Sequence, residues 1–157
     1  MSYDVQIHDV PQQAFAAVAG RANAHNLGGR IVALLTEVWA LLLDTGIRQT
    51  GHNVVLYSDE ASTALWFTDT GVSIQVGVQV ATPFERTGRV VCAVIPGGTV
   101  ATVVHRGPYQ QLPEAHKAVR AWCAEQGYAL AGPNWEIYGD WTDNPDELRT
   151  DVYYLLQ

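Results

Sequence analysis

The chain has 157 residues, 48% of them hydrophobic and only 16% charged, with nine basic against sixteen acidic side chains and a net charge of −7. That length can bury a core without disulfide or metal staples. The acidic balance, with Lys117 the sole lysine, argues against direct nucleic-acid binding and against a polybasic membrane patch.

The N-terminus, MSYDVQIHDV, alternates polar and apolar residues from Tyr3 to Asp9 and lacks the basic and apolar segments of a signal peptide. It predicts an extended segment, followed after Pro11 by a second over Ala14–Gly20. A helix is expected from about Gly29 to Thr45, with Ile31, Leu34, Leu35, Val38, Leu41 and Leu42 on one broad face and Gly46 as its left-handed cap. Glu37 interrupts this stretch, which is also too short to span a bilayer. Strands over Asn53–Ser58 and Val72–Val80 follow, joined by an acidic, turn-forming loop.

Cys92 and Cys123 lie in apolar contexts without a CxxC partner, so they read as reduced core residues of a cytoplasmic protein. A second helix is expected over about Tyr109–Gln126, with Pro113 in its first turn, Leu112, Ala115, Val119, Trp122 and Cys123 inward and Gly127 as the stop. Strands over Asn134–Gly139 and Thr150–Leu156 complete the chain.

Two blocks recur. GIRQTGHNVVLYSD, starting at Gly46, aligns with GYALAGPNWEIYGD, starting at Gly127, at an offset of 81, with five of fourteen positions identical. Upstream, Pro11, Ala16, Val18 and Arg21 match Pro96, Ala101, Val103 and Arg106 at an offset of 85. A duplicated unit accounts for both. Half 1 then spans about 1–81 and half 2 about 89–157, each built as strands, helix, strands. One helix covers one sheet face, so the halves are expected to associate about a pseudo-twofold axis with a cleft between the open faces of their sheets.

Within the repeat, Glu136 is set in the apolar strand GPNWEIYGD, where half 1 has Val55. Alternation places Glu136 and Tyr138 on one face and Trp135 and Ile137 on the other. The more apolar pair is expected to meet the helix, leaving Glu136 and Tyr138 in the cleft. A carboxylate there either pairs with a cationic ligand among ring faces or works as a general acid or base on water. A glutamate merely exposed on a sheet face is the plain alternative.

The order HRGPYQQL, a helix ending AWCAEQGY, then GPNWEIYGD and a last strand opening at Thr150 resembles the GyrI-like effector-binding domain over essentially the whole chain. That family includes the drug-sensing domains of AraC-type and MerR-type regulators. The resemblance implies an α+β fold of duplicated β-α-β-β halves, antiparallel sheets each covered by a long helix, and a ligand cleft between them. It also implies that Glu136 meets cationic or electrophilic ligands.

The other ligand-binding candidates are Tyr138, Tyr109, Tyr153, Trp39 and Trp66. Tyr109 serves either the cleft or helix packing, Tyr153 and Tyr154 compete for the cleft face, and Trp39 and Trp66 wall the cleft or pack the core. The regulators of this family carry a helix-turn-helix module ahead of the effector domain; here the effector domain starts at Tyr3, and no DNA-binding module is expected.

The first functional expectation is therefore a stand-alone binder of small aromatic or cationic compounds. The second is a hydrolase of electrophilic cyclopropane-bearing genotoxins, with Glu136 and Tyr109 catalytic. A protein partner, gyrase or a separate regulator, ranks third. No metal or cofactor is expected, since the five histidines, 8, 25, 52, 105 and 116, show no ligand spacing. His105 reads as a strand-end hydrogen-bonding residue.

Overall fold

Strand-forming, β-branched segments dominate the fold. The computed structural model describes residues 3–58, 69 and 71–157. In chain order the elements are β1 (Gln6–Val10), β2 (Gln13–Ala22), α1 (Leu27–Thr45), β3 (Gln49–Tyr57), β4 (Val72–Val80), β5 (Val91–Ile95), β6 (Gly98–Arg106), α2 (Leu112–Gln126), β7 (Leu130–Tyr138) and β8 (Arg149–Leu156). Both helices end on a left-handed glycine, Gly46 at φ 71° and Gly127 at φ 80°, where any other residue would be strained. Residues Tyr109–Gln111, expected within the second helix, form a short 3-10 turn before it.

The strands make one antiparallel eight-stranded sheet in the order β1-β6-β8-β7-β3-β4-β2-β5. This corrects the expectation of separate sheets facing each other across a cleft. Instead β3 pairs with β7, with Val55 directly opposite Glu136. The strand β5 went unrecognised because a five-residue apolar run has no period of its own to read.

Both helices pack on the same face of the sheet. Leu34, Val38 and Leu42 of α1 lie on Val18, Val55, Ile74, Val76 and Val78. Ala115, Val119 and Cys123 of α2 lie on Ala101, Val103, Val152 and Tyr154. Each such Leu or Val contributes roughly 1.5–3 kcal/mol on full burial. The opposite face carries Phe15, Val54, Leu56, Ile95, Val100 and Trp135, all buried, and among the described residues no helix packs over them. The sheet curls into a half-barrel, so this face closes on itself.

That core reverses one expectation. Trp135 and Ile137 do not meet a described helix but belong to the inside of the curl, with Phe15, Val54 and Leu56. Glu136 and Tyr138 face the helix side, in the gap between α1 and α2.

Candidate functional site

Across the middle of the sheet one row of paired residues runs Val18, Val76, Val55, Glu136, Val152, Val103. Five valines and one carboxylate share this row, and Glu136 is only 3% exposed. Burying an unpaired carboxylate is costly, so its partners decide what it can do.

Oε1 of Glu136 accepts from the Tyr138 hydroxyl at 2.7 Å and the Tyr57 hydroxyl at 3.3 Å. Its Oε2 lies 2.7 Å from Nε2 of His116. On the far side of that imidazole, Nδ1 lies 2.7 Å from the Tyr154 hydroxyl, which also accepts from Nη1 of Arg120 at 2.9 Å. The Tyr154 oxygen thus bridges the guanidinium and the imidazole, and the imidazole bridges that phenol and the Glu136 carboxylate.

The phenols are held protonated. Burial raises Tyr57 and Tyr138 well above the ordinary 10.0, and the neighbouring Glu136 charge and its hydrogen bonds raise them further. Burial alone raises Tyr109. Each hydroxyl on Glu136 therefore stays a donor to the carboxylate.

A cavity of about 600 Å³ opens over this network. Leu27, Gly28 and Ile31 of α1 form one wall, and Leu112, Pro113, His116 and Arg120 of α2 the other. Tyr57, Asn134, Glu136, Tyr138 and Tyr154 form the floor, and Tyr109 stands at the side. The Tyr109 ring meets Tyr138 edge-on, with centroids 5.4 Å apart at 80°.

Of the residues singled out from sequence, the structure thus brings Glu136, Tyr138 and Tyr109 together. Tyr153 lies on the opposite face, stacked on Trp135 with centroids 5.6 Å apart, and Tyr154 occupies the cavity instead. Trp39, on α1, packs against the core under that helix and donates Nε1 to Oδ1 of Asn53 at 3.1 Å; it does not line the cavity. Trp66 lies outside the described residues. His105 accepts or donates at both nitrogens, to the Tyr3 hydroxyl and the Pro108 carbonyl, each at 3.0 Å.

The sequence reading passed over Tyr57, His116 and Arg120 as site residues and left open which of Tyr153 and Tyr154 faces the cleft. Tyr57 had a signal, since it is the repeat counterpart of Tyr138. His116 and Arg120 sit one helical turn apart, a spacing that puts them on one face, but nothing local says which strand that face meets. Among the described residues no group of three His, Cys, Asp or Glu could hold a metal ion, and no helix is long and apolar enough to cross a membrane.

A family model for the GyrI-like small-molecule binding domain matches residues 3–157. No curated protein matches the chain in sequence. Among solved structures, the C-terminal domain of EcmrR is similar over 100% of this chain and 99% of its own, at 19% identity and a TM-score of 0.84. SAV2435 bound to tetraphenylphosphonium is similar over 100% of this chain and 94% of its own, at 11% identity and a TM-score of 0.68. A hydrolase encoded by lin2189 from Listeria innocua is similar over 98% of this chain and 91% of its own, at 12% identity and a TM-score of 0.62. At such identities the likeness is one of fold.

Proposed function

The chain belongs to the GyrI-like small-molecule binding family, and from that premise we propose that its cavity binds lipophilic aromatic cations, with Glu136 as the counter-charge. The observation that carries this reading is the company Glu136 keeps. Tyr57, Tyr138 and His116 hold its carboxylate in place by hydrogen bonds, and the two phenols bring no charge to it. The carboxylate faces the cavity out of bulk water, where a cation would gain more than in open solvent. Tyrosine rings around it add cation–π contacts of roughly 0.5–2 kcal/mol each. SAV2435, similar in fold, was solved with a ligand of this chemistry.

The cavity also fits a duplicated architecture. Val55 and Glu136, 81 residues apart, are each other's partners across β3 and β7. At the same offset Tyr57 matches Tyr138, and Leu34, Val38 and Leu42 match Ala115, Val119 and Cys123. A twofold axis through the Val55–Glu136 pair relates these sets, and the ligand sits on it.

Titrating the purified protein with tetraphenylphosphonium by calorimetry tests the reading. Glu136→Gln is expected to weaken binding by about tenfold or more, on the order of 1.4 kcal/mol. Equal affinity in both proteins would overturn it.

A second reading is favoured by the Tyr154–His116–Glu136 chain, which is wired to take a proton from water. On an electrophilic cyclopropane, water would add to a ring carbon as the ring C–C bond breaks. The water proton would pass to Glu136, and the ring electrons to the activating carbonyl. Mass spectrometry of a cyclopropane-bearing DNA alkylator after incubation separates the two readings. Multiple turnovers that disappear in Glu136→Gln support hydrolysis, and protection at one equivalent without turnover supports the binder.

A further inference from the structure

The cavity wall carries a cation of its own. Arg120 lines it beside His116, donates Nη1 to the Tyr154 hydroxyl, and forms none of the ion pairs seen among the described residues. The carboxylate nearest along the hydrogen-bond chain, Glu136, is separated from it by Tyr154 and His116. The two opposite charges therefore share one cavity without touching. A partly buried charge that has only a phenol for company retains most of its demand for a counter-ion.

The fold itself does not call for an arginine there. The position 81 residues earlier on α1 is Trp39, which packs on the core and donates to Asn53. Leu35 likewise stands where α2 has His116, Val55 where β7 has Glu136, and Val78 where β8 has Tyr154, since Val55 pairs with Val76 as Glu136 pairs with Val152. All four members of the Arg120–Tyr154–His116–Glu136 chain are thus apolar in half 1. Asn134, the counterpart of Asn53, lies in the cavity floor with its Nδ2 on the Gly132 carbonyl.

We infer that Arg120 is an anion subsite and that the ligand is an aromatic zwitterion, its cationic centre on Glu136 and its carboxylate or similar acid on Arg120. This rests on the cation reading of Glu136 and narrows it. A simple monocation would satisfy Glu136 but would leave Arg120 unmatched and repelling it. A zwitterion matches both charges, and the protein–ligand site then carries no net charge to bury. The guanidinium offers paired N–H donors to a carboxylate, a bidentate geometry that a lysine would lack.

Rhodamine 110 and its methyl ester, rhodamine 123, form a matched test, since they share one cationic body and differ in the free acid. Fluorescence anisotropy at neutral pH is expected to show the wild type binding rhodamine 110 about tenfold more tightly than rhodamine 123. Arg120→Met, which keeps the aliphatic length, should abolish that preference while rhodamine 123 binds at least as well as before. Arg120→Gln serves the same purpose if the Met variant folds poorly, and Arg120→Lys should restore part of the preference. No preference in the wild type, or a preference untouched by both Arg120 variants, would overturn the anion subsite. The cation reading fails separately, if Glu136→Gln leaves rhodamine 123 affinity unchanged.

Discussion

At the scale of single residues, Glu136 was legible in the sequence because it breaks an apolar strand, and Tyr138 because it shares that strand's alternation. His116 was not. A histidine on an amphipathic helix has no local partner, and its hydrogen bond to Glu136 crosses 20 residues. The tyrosines give this cluster a measurable signature. Tyr57 and Tyr138 ionise well above 10.0, first through burial and then through the Glu136 charge and hydrogen bonds. In the unfolded chain they would ionise near 10.0, so the stability they contribute is complete below that pH and is lost as pH rises toward their folded values. Alkaline unfolding should therefore begin above pH 10. In Glu136→Gln the charge is gone while the burial stays, and the ultraviolet phenolate titration of these two residues should move down toward 10.0. A titration curve identical to wild type would show that Glu136 is not their ionised neighbour.

At the scale of elements, both helices could be read closely, since apolar stripes and glycine stops are local signals. The α2 start was placed three residues early because the 3-10 turn at Tyr109–Gln111 continues the same pattern. Strand edges moved more, as alternation fades where a strand meets a bulge, such as the one between Gln49 and Asn53 on β3. Glycines sort by where they lie. A Cβ on Gly77 would come 1.6 Å from the Ala16 carbonyl oxygen in the neighbouring β2. Gly77→Ala must therefore push two paired strands apart, and urea denaturation should show a loss of about 3 kcal/mol or more. Gly29, in the first turns of α1, has nothing within 4 Å of such an atom. There the same substitution should add about 0.5–1 kcal/mol by favouring the helix. A stability gain at Gly77 would contradict the close approach of β2 and β4.

At the scale of the whole molecule, the outer strands are exchanged. Strand β1, at the start of the chain, pairs with β6, and β5 pairs back with β2. Neither 1–88 nor 89–157 holds all the strands that its own strands pair with. A fragment spanning about 89–157 loses β1 from β6 and β3 from β7, and exposes unpaired edges. It should show no cooperative thermal transition by circular dichroism, and mixing it with residues 1–88 should restore one. A fragment that melts cooperatively by itself would show that the strand exchange is dispensable.

The sequence by itself determined the helices, the alternation of the central strands and the oddity of one acid in an otherwise apolar row. These are short-range facts, written in periods of two and in amphipathic faces. Only the tertiary structure decided that the strands share a single sheet, that Phe15 and Trp135 turn away from the helices into the curl, and that Tyr57, His116, Tyr154 and Arg120 converge on or near Glu136. Those contacts join residues 79, 20, 38 and 34 positions apart. Their pairing is set by how strands dock and a sheet bends, which no local period records.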